Sequence, residues 1–166
     1  MNSKEQISRS AAGVELKLSM PAHHKAARAG RQRVRDFAMD EQLLKGEIDR
    51  LEFVVGELLS NAVDHGGGGR AMDGGDGADG TPSIQMHLEF CFDDKGWTLR
   101  VEDEGGGDPE CLRPFVQDTD VLPDLEDERG RGFFLLLGML TSLKVESSRT
   151  GQGIALIAHV LFGTQA

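Results

Sequence analysis

The stretch Glu52 to Gly66, EFVVGELLSNAVDHG, constrains the fold more than any other part of the chain. Apolar residues at Val54, Val55, Leu58, Leu59, Ala62 and Val63 recur at helical spacing, the mark of a helix running from Gly46 to His65 with one buried face. A polar line runs among them. Glu57, Asn61 and His65 stand four residues apart, so they lie one above the other on the same side. An acid, an amide and an imidazole on a helix that otherwise buries itself cost free energy unless something satisfies them. Taken alone, E-x-x-x-N reads as a solvated helix edge, and its meaning depends on what the rest of the chain brings to it.

A helix of this kind needs a layer to pack on. With 166 residues, 39% of them apolar and 28% charged, the chain suits one globular domain with a real core. No apolar run reaches the length of a membrane span, the richest being Phe133 to Leu140, and the N-terminus has no apolar signal segment. A cytoplasmic protein without membrane association is expected. Cys91 and Cys111 show neither a CxxC spacing nor matching histidines, so reduced thiols are expected rather than a zinc site. The formal charge of −10 argues against general nucleic-acid binding, which needs a basic footprint. That charge is segregated. Residues 1–50 carry 10 Lys/Arg against 7 Asp/Glu, a net of +3, whereas residues 51–166 carry 8 against 21, a net of −13. An acidic surface of this kind keeps a protein soluble and also suits a basic protein partner.

Along the chain, residues 1–12 read as a flexible polar N-terminus ahead of a single domain over residues 13–163. Val14, Leu16, Leu18 and Met20 alternate as a half-buried strand does. Pro21 suits the first turn of a helix with its body over His23 to Ala38, and His23 and His24 are expected on its solvated surface. Gly66 is expected to cap the long helix, and residues 66–82, glycine-rich and acidic, read as a flexible loop. Ile84 to Asp93 alternates, and after the DDKG turn Trp97, Leu99 and Val101 alternate again, which predicts a hairpin. Residues 110–128 are irregular and acidic. ERGRG, residues 128–132, opens an apolar helix over Phe133 to Leu143, hydrophobic all round and so expected to be buried. Strands over Lys144 to Ser148 and Ile154 to Phe162 complete the order. The fold class this predicts is α/β in content, an α+β two-layer sandwich: one mixed, mostly antiparallel sheet with helices on one face.

Three points in the chain converge on one chemistry. Glu57 and Asn61 lie on a helix, Asp103-x-Gly105-x-Gly107 follows a strand, and Gly130-x-Gly132 precedes a helix. Glycines at a helix N-terminus let backbone amides reach an anion that the helix dipole also favours. A carboxylate at a strand end, beside glycines that permit flat approach, can accept from an exocyclic amine such as adenine offers. The Asn61 amide oxygen suits Mg²⁺, which prefers hard oxygens and keeps waters and phosphates, and Glu57 one turn away can accept a proton from an attacking hydroxyl. No GxxxxGK[ST] is present, which excludes a P-loop enzyme.

This arrangement resembles the ATP-binding superfamily of gyrase, heat-shock chaperone, histidine kinase and mismatch-repair ATPases, the GHKL or Bergerat fold. Within it, ELLSNAVDHG, VEDEGGGDP and GRGFFLLLGML are most similar to the stand-alone anti-sigma factor serine/threonine kinases of bacterial partner-switching systems, over about Val14 to Phe162. The resemblance implies ATP and Mg²⁺ as cofactors, with Asn61 holding the metal, Glu57 as general base and Asp103 reading adenine. It also implies that Gly105 and Gly107 shape the adenine pocket, and that Gly130 and Gly132, flanked by Arg129 and Arg131, seat the phosphates beneath a mobile lid over residues 108–128. The partners it implies are a sigma factor and a small anti-sigma factor antagonist phosphorylated on serine, and it suggests a homodimer. Two features depart from that family. Ile154 and Ala155 follow Gly153 where a threonine is usual, and the lid carries eight acids with one base, Arg113. Such a lid suits docking of a basic partner, because closing it over a triphosphate is electrostatically unfavourable.

Two further functions remain open at this stage. One is a non-catalytic module whose nucleotide occupancy sets partner affinity. The other is a detached histidine kinase catalytic domain, disfavoured because the residues before the long helix leave no room for a dimerising hairpin with a phospho-acceptor histidine.

Overall fold

Alternation at Val14, Leu16, Leu18 and Met20 becomes strand β2 (Gly13–Pro21), with Leu16, Leu18 and Met20 buried. The computed structural model describes residues 4–66, 84–117 and 128–163. The predicted hairpin is β3 (Gln85–Phe92) and β4 (Gly96–Asp103), in register through Phe90 opposite Leu99 and Phe92 opposite Trp97. Asp93 closes its turn by accepting from the amides of Lys95 at 2.8 Å and Gly96 at 3.1 Å. With β1 (Lys4–Ser10), β5 (Ser142–Ser147) and β6 (Ile154–Leu161), these strands form one six-stranded sheet in the order β1-β2-β3-β4-β6-β5. The sheet, expected to be mixed, is antiparallel in every described pair.

Helices α1 (His24–Asp40) and α2 (Lys45–Asn61) make the second layer. Leu51, Val54, Val55, Leu58 and Leu59 of α2 have no exposed surface, and Phe37 of α1 meets Phe90 edge-on with centroids 6.2 Å apart. Each large apolar side chain buried here contributes about 1.5–3 kcal/mol, so the buried face of α2 is a large part of the core. The Trp97 indole donates to Glu47 at 3.0 Å and ties β4 to the first turn of α2. Among the described residues, no helix is long and apolar enough to cross a membrane.

Several local readings are corrected by the tertiary context. Residues 4–10, expected to be flexible, form β1, which pairs along its whole length with β2. Only Ile7 in KEQISRS is strongly apolar, so the strand rests on backbone pairing and on ion pairs of Arg9 with Glu41 and of Glu5 with Arg33. Pro21 ends β2 instead of opening a helix, and His23 is no idle surface residue. Its ring Nδ1 caps α1 by accepting from the Ala26 amide at 3.0 Å. Helix α2 ends at Asn61 and continues as a single π-helical turn, Ala62–Gly66. That wider turn carries position 65 off the four-residue line of Glu57 and Asn61.

The apolar helix is α4 (Glu128–Met139), and it is not buried all round. Leu136 is buried, but Phe134 is 46% exposed and Leu135 55% exposed. The loop expected over 66–82 lies outside the described residues except for Gly66, as do residues 118–127 of the expected lid. The rest of the lid holds a 3₁₀ turn, Pro109–Cys111, and the short helix α3 (Arg113–Gln117).

Candidate functional site

Strand pairing brings the two ends of the site together. Val101 of β4 lies opposite Leu156 of β6, which places Asp103 beside Gly153 and Ile154. A Cβ at Gly153 would collide with the Asp103 carbonyl and stand 2.7 Å from its carboxylate, so only glycine fits there. Asp103 is buried, and its Oδ1 accepts from the Gly105 amide at 2.8 Å. Gly106, which the sequence reading passes over, makes the turn. Its φ of +81° is left-handed backbone, and its amide donates to the Gln152 carbonyl, latching the segment after β4 onto the loop before β6. Gly107 gives room to Ile154, whose Cδ1 would stand 2.9 Å from an added Cβ. The three glycines therefore have three separate tasks. The only clue in the sequence to the role of Gly106 is the glycine run itself.

Across from this turn, α2 contributes Leu58 and Asn61, and Ala62 follows them. Val101, Ile154 and Leu156 line the same cleft, so apolar walls face one another with Asp103 at the end. Leu112 lines the cleft as well, and the space left between these side chains is about 10 Å³. That is room for about one water, so the cleft must widen to admit anything as large as a base.

Glu57 stands one turn before Asn61, at the contact between α2 and α4. A Cβ at Gly132 would collide with the Glu57 carboxylate, so α4 lies directly against this acid. Burial pushes the Glu57 carboxyl above its ordinary pKa, and among the described residues it has no hydrogen-bond partner. It is a carboxylate made more basic than usual. Asn61 is half-buried, and its side chain likewise makes no hydrogen bond among the described residues. No group of three or more His, Cys, Asp or Glu gathers there among the described residues. One amide oxygen without a carboxylate cage fits Mg²⁺, which binds through few protein ligands plus phosphates and waters.

Gly130 and Gly132 are displaced from their expected place. Helix α4 begins at Glu128, so both glycines lie inside its first two turns and not ahead of it. Glycine inside a helix costs about 1 kcal/mol relative to alanine, and at position 132 the close approach of Glu57 accounts for it. The first-turn amides of a helix lack partners within the helix, which is what suits such an end to an anion. The side chains of Arg129 and Arg131 lie outside the described residues.

On the outer face of the sheet a second polar line draws notice. The Ser19 hydroxyl is 2.8 Å from His87 Nδ1, and His87 Nε2 is 2.8 Å from Glu104. Ser19 sits inside β2 with paired strands on both sides, so no backbone amide is turned toward its hydroxyl as an oxyanion donor. The line is a cross-strand polar contact.

A two-layer sandwich with an Asn-bearing helix over one end of an antiparallel sheet, and an Asp–Gly turn at that end, defines an ATPase domain of the GHKL type. The family model described as histidine kinase-like ATPase domain matches residues 20–158, and the chain belongs to that family. ATP binding follows from that membership. No curated protein matches the chain.

Proposed function

We propose that this chain is a protein serine kinase that uses ATP and Mg²⁺ and doubles as an anti-sigma factor, binding a sigma factor and phosphorylating a serine on a small antagonist. The observation that carries the reading is Glu57: a carboxyl made basic by burial, pressed against α4 and one turn from Asn61. Adenine enters between Leu58 and Ile154, with its exocyclic amine donating to Asp103. The N-terminal amides of α4 face the phosphates. The Asn61 amide oxygen would hold Mg²⁺, which would supply charge neutralisation for the phosphates. Glu57 takes the proton of the incoming serine hydroxyl while the serine Oγ–phosphorus bond forms. The bond from the γ-phosphorus to the bridging oxygen breaks, and ADP leaves with that electron pair. The sigma-factor role rests on the motif resemblance, and a cytoplasmic location is part of the same proposal.

Glu57→Gln tests the transfer step. Phosphoserine formation on the antagonist should fall by about 10²–10⁴-fold, with ATP affinity changed by less than about twofold. Transfer at the wild-type rate would sink the reading. One observation favours a second reading, in which nucleotide merely gates partner binding. Ile154 presents only hydrocarbon where a hydroxyl would help fix adenine, and Leu112 narrows the cleft. Under that reading wild-type protein forms no phosphoserine, while ATP still changes partner affinity in Glu57→Gln.

A further inference from the structure

Helices α1 and α2 run antiparallel, and the residues along one seam between them form a ladder. At one end Arg35 donates to Glu52 at 2.8 Å, and at the other His24 lies 3.5 Å from Asp64. On the α2 side the rungs at 52, 56 and 60 fall four residues apart on one helical edge, and Asp64 follows on the π-helical turn. The two middle rungs are different. Arg31 lies over Gly56, where an added Cβ would stand 3.4 Å from its Cδ and 3.5 Å from Nη1. Arg28 and Ser60 line the same pocket, whose volume is about 210 Å³. Each middle rung thus has a cation and no acid. Among the described residues Arg28 and Arg31 form no ion pair, although Arg9, Arg33, Arg35, Arg50, Arg100, Arg113 and Arg149 all do.

We propose that this pocket is an oxyanion site that takes inorganic phosphate or a phosphomonoester between Arg28, Arg31 and the Ser60 hydroxyl. Guanidinium forks match phosphate oxygens in pairs, and a hydroxyl supplies a further donor. Two arginines without a counter-charge among the described residues make a local positive potential on a chain of net charge −10, which favours a dianion over neutral solutes. The site is separate from the cleft described above. Ser60 and Asn61 are neighbours on α2 and face different sides of it. An anion bound there bridges α1 to the helix that carries Glu57 and Asn61, and so stabilises the folded chain by mass action.

The test is ³¹P NMR titration of the full chain at low ionic strength, with inorganic phosphate and with O-phosphoserine in separate arms. Saturable binding of either probe is expected, and the tighter probe identifies the source as free phosphate or a phosphorylated side chain. Arg28→Gln and Arg31→Gln should each weaken it about tenfold or more. Gly56→Glu, which supplies the missing carboxylate, should abolish it. Arg50→Gln, which removes a cation already paired with Glu47, should leave it unchanged. Equal affinity in Asn61→Ala and wild type places the anion outside the nucleotide cleft. The proposal is overturned if wild type shows no saturable binding, if the Arg28 and Arg31 variants bind as wild type does, or if Asn61→Ala removes binding. Should Gly56→Glu fail to fold, the arginine variants still decide, because they change exposed side chains.

Discussion

Glu57 shows how one side chain ties chemistry to stability. Below its unfolded pKa both states are protonated and its position costs nothing. As pH rises through the raised folded pKa, the folded protein must ionise a poorly solvated carboxyl, while the unfolded chain has already released its proton. The folded state binds the more protons in that window, so stability falls with rising pH. Glu57→Gln should therefore be more stable than wild type at pH 7, with the advantage fading toward pH 4; urea midpoints at the two pH values check this. Gly132 gives the complementary prediction. Gly132→Ala should add up to about 1 kcal/mol to α4 through helix propensity, yet its methyl must push the Glu57 carboxylate aside. A raised melting temperature together with slower single-turnover phosphorylation is the expected pair. Neither residue's environment is legible in the sequence, because both effects come from α4 lying against α2.

At the scale of elements, the β3–β4 hairpin was legible in the sequence, as was the body of α2. One face of it packs the core through Leu51, Val54, Val55, Leu58 and Leu59, and the polar pair Glu57/Asn61 leaves from its edge. A strong helical period over many residues survives any tertiary context. The segment around α3 is the opposite case. Leu112 lines the cleft and packs against the core in a partly buried contact worth about 1 kcal/mol. Leu112→Ala should shift the opening equilibrium roughly fivefold and speed nucleotide association by a similar factor. Stopped-flow mixing with a fluorescent ATP analogue measures it, and an unchanged rate would mean Leu112 is not the gate. Strand β1 was unreadable for a different reason. With Ile7 its only strongly apolar residue, KEQISRS has no alternation to detect, and the free edge of β2 selects its conformation.

Over the whole molecule, charge segregation is the dominant feature: a net of +3 over residues 1–50 and −13 over the remainder. In the fold the basic share includes Arg28 and Arg31 on one face of α1, while the acids concentrate in the sequence after residue 50. A basic partner docking on the acids should show affinity that falls steeply with salt, since exposed charges are screened over about 10 Å at 0.1 M. Replacing Asp118, Asp120, Asp124 and Glu126 by their amides should weaken that partner and flatten the salt dependence. Unchanged affinity at low salt would remove the acidic lid from the interface.

What the chain determined by itself is whatever a short window encodes: the amphipathic period of α2, the alternation of β2, β3 and β4, and the Asp103–Gly turn. Those signals suffice for a two-layer sandwich and for the residue types of an ATP site, because burial of one face repeats at a fixed spacing whatever the neighbours are. Only the tertiary structure decided which glycine makes the turn, which one admits Glu57, and where α4 begins. It also decided that, among the described residues, Arg28 and Arg31 face Ser60 and Gly56 and not carboxylates. Each of these depends on the approach of two segments far apart in sequence. Distances of that kind are set by packing, and no local pattern carries them.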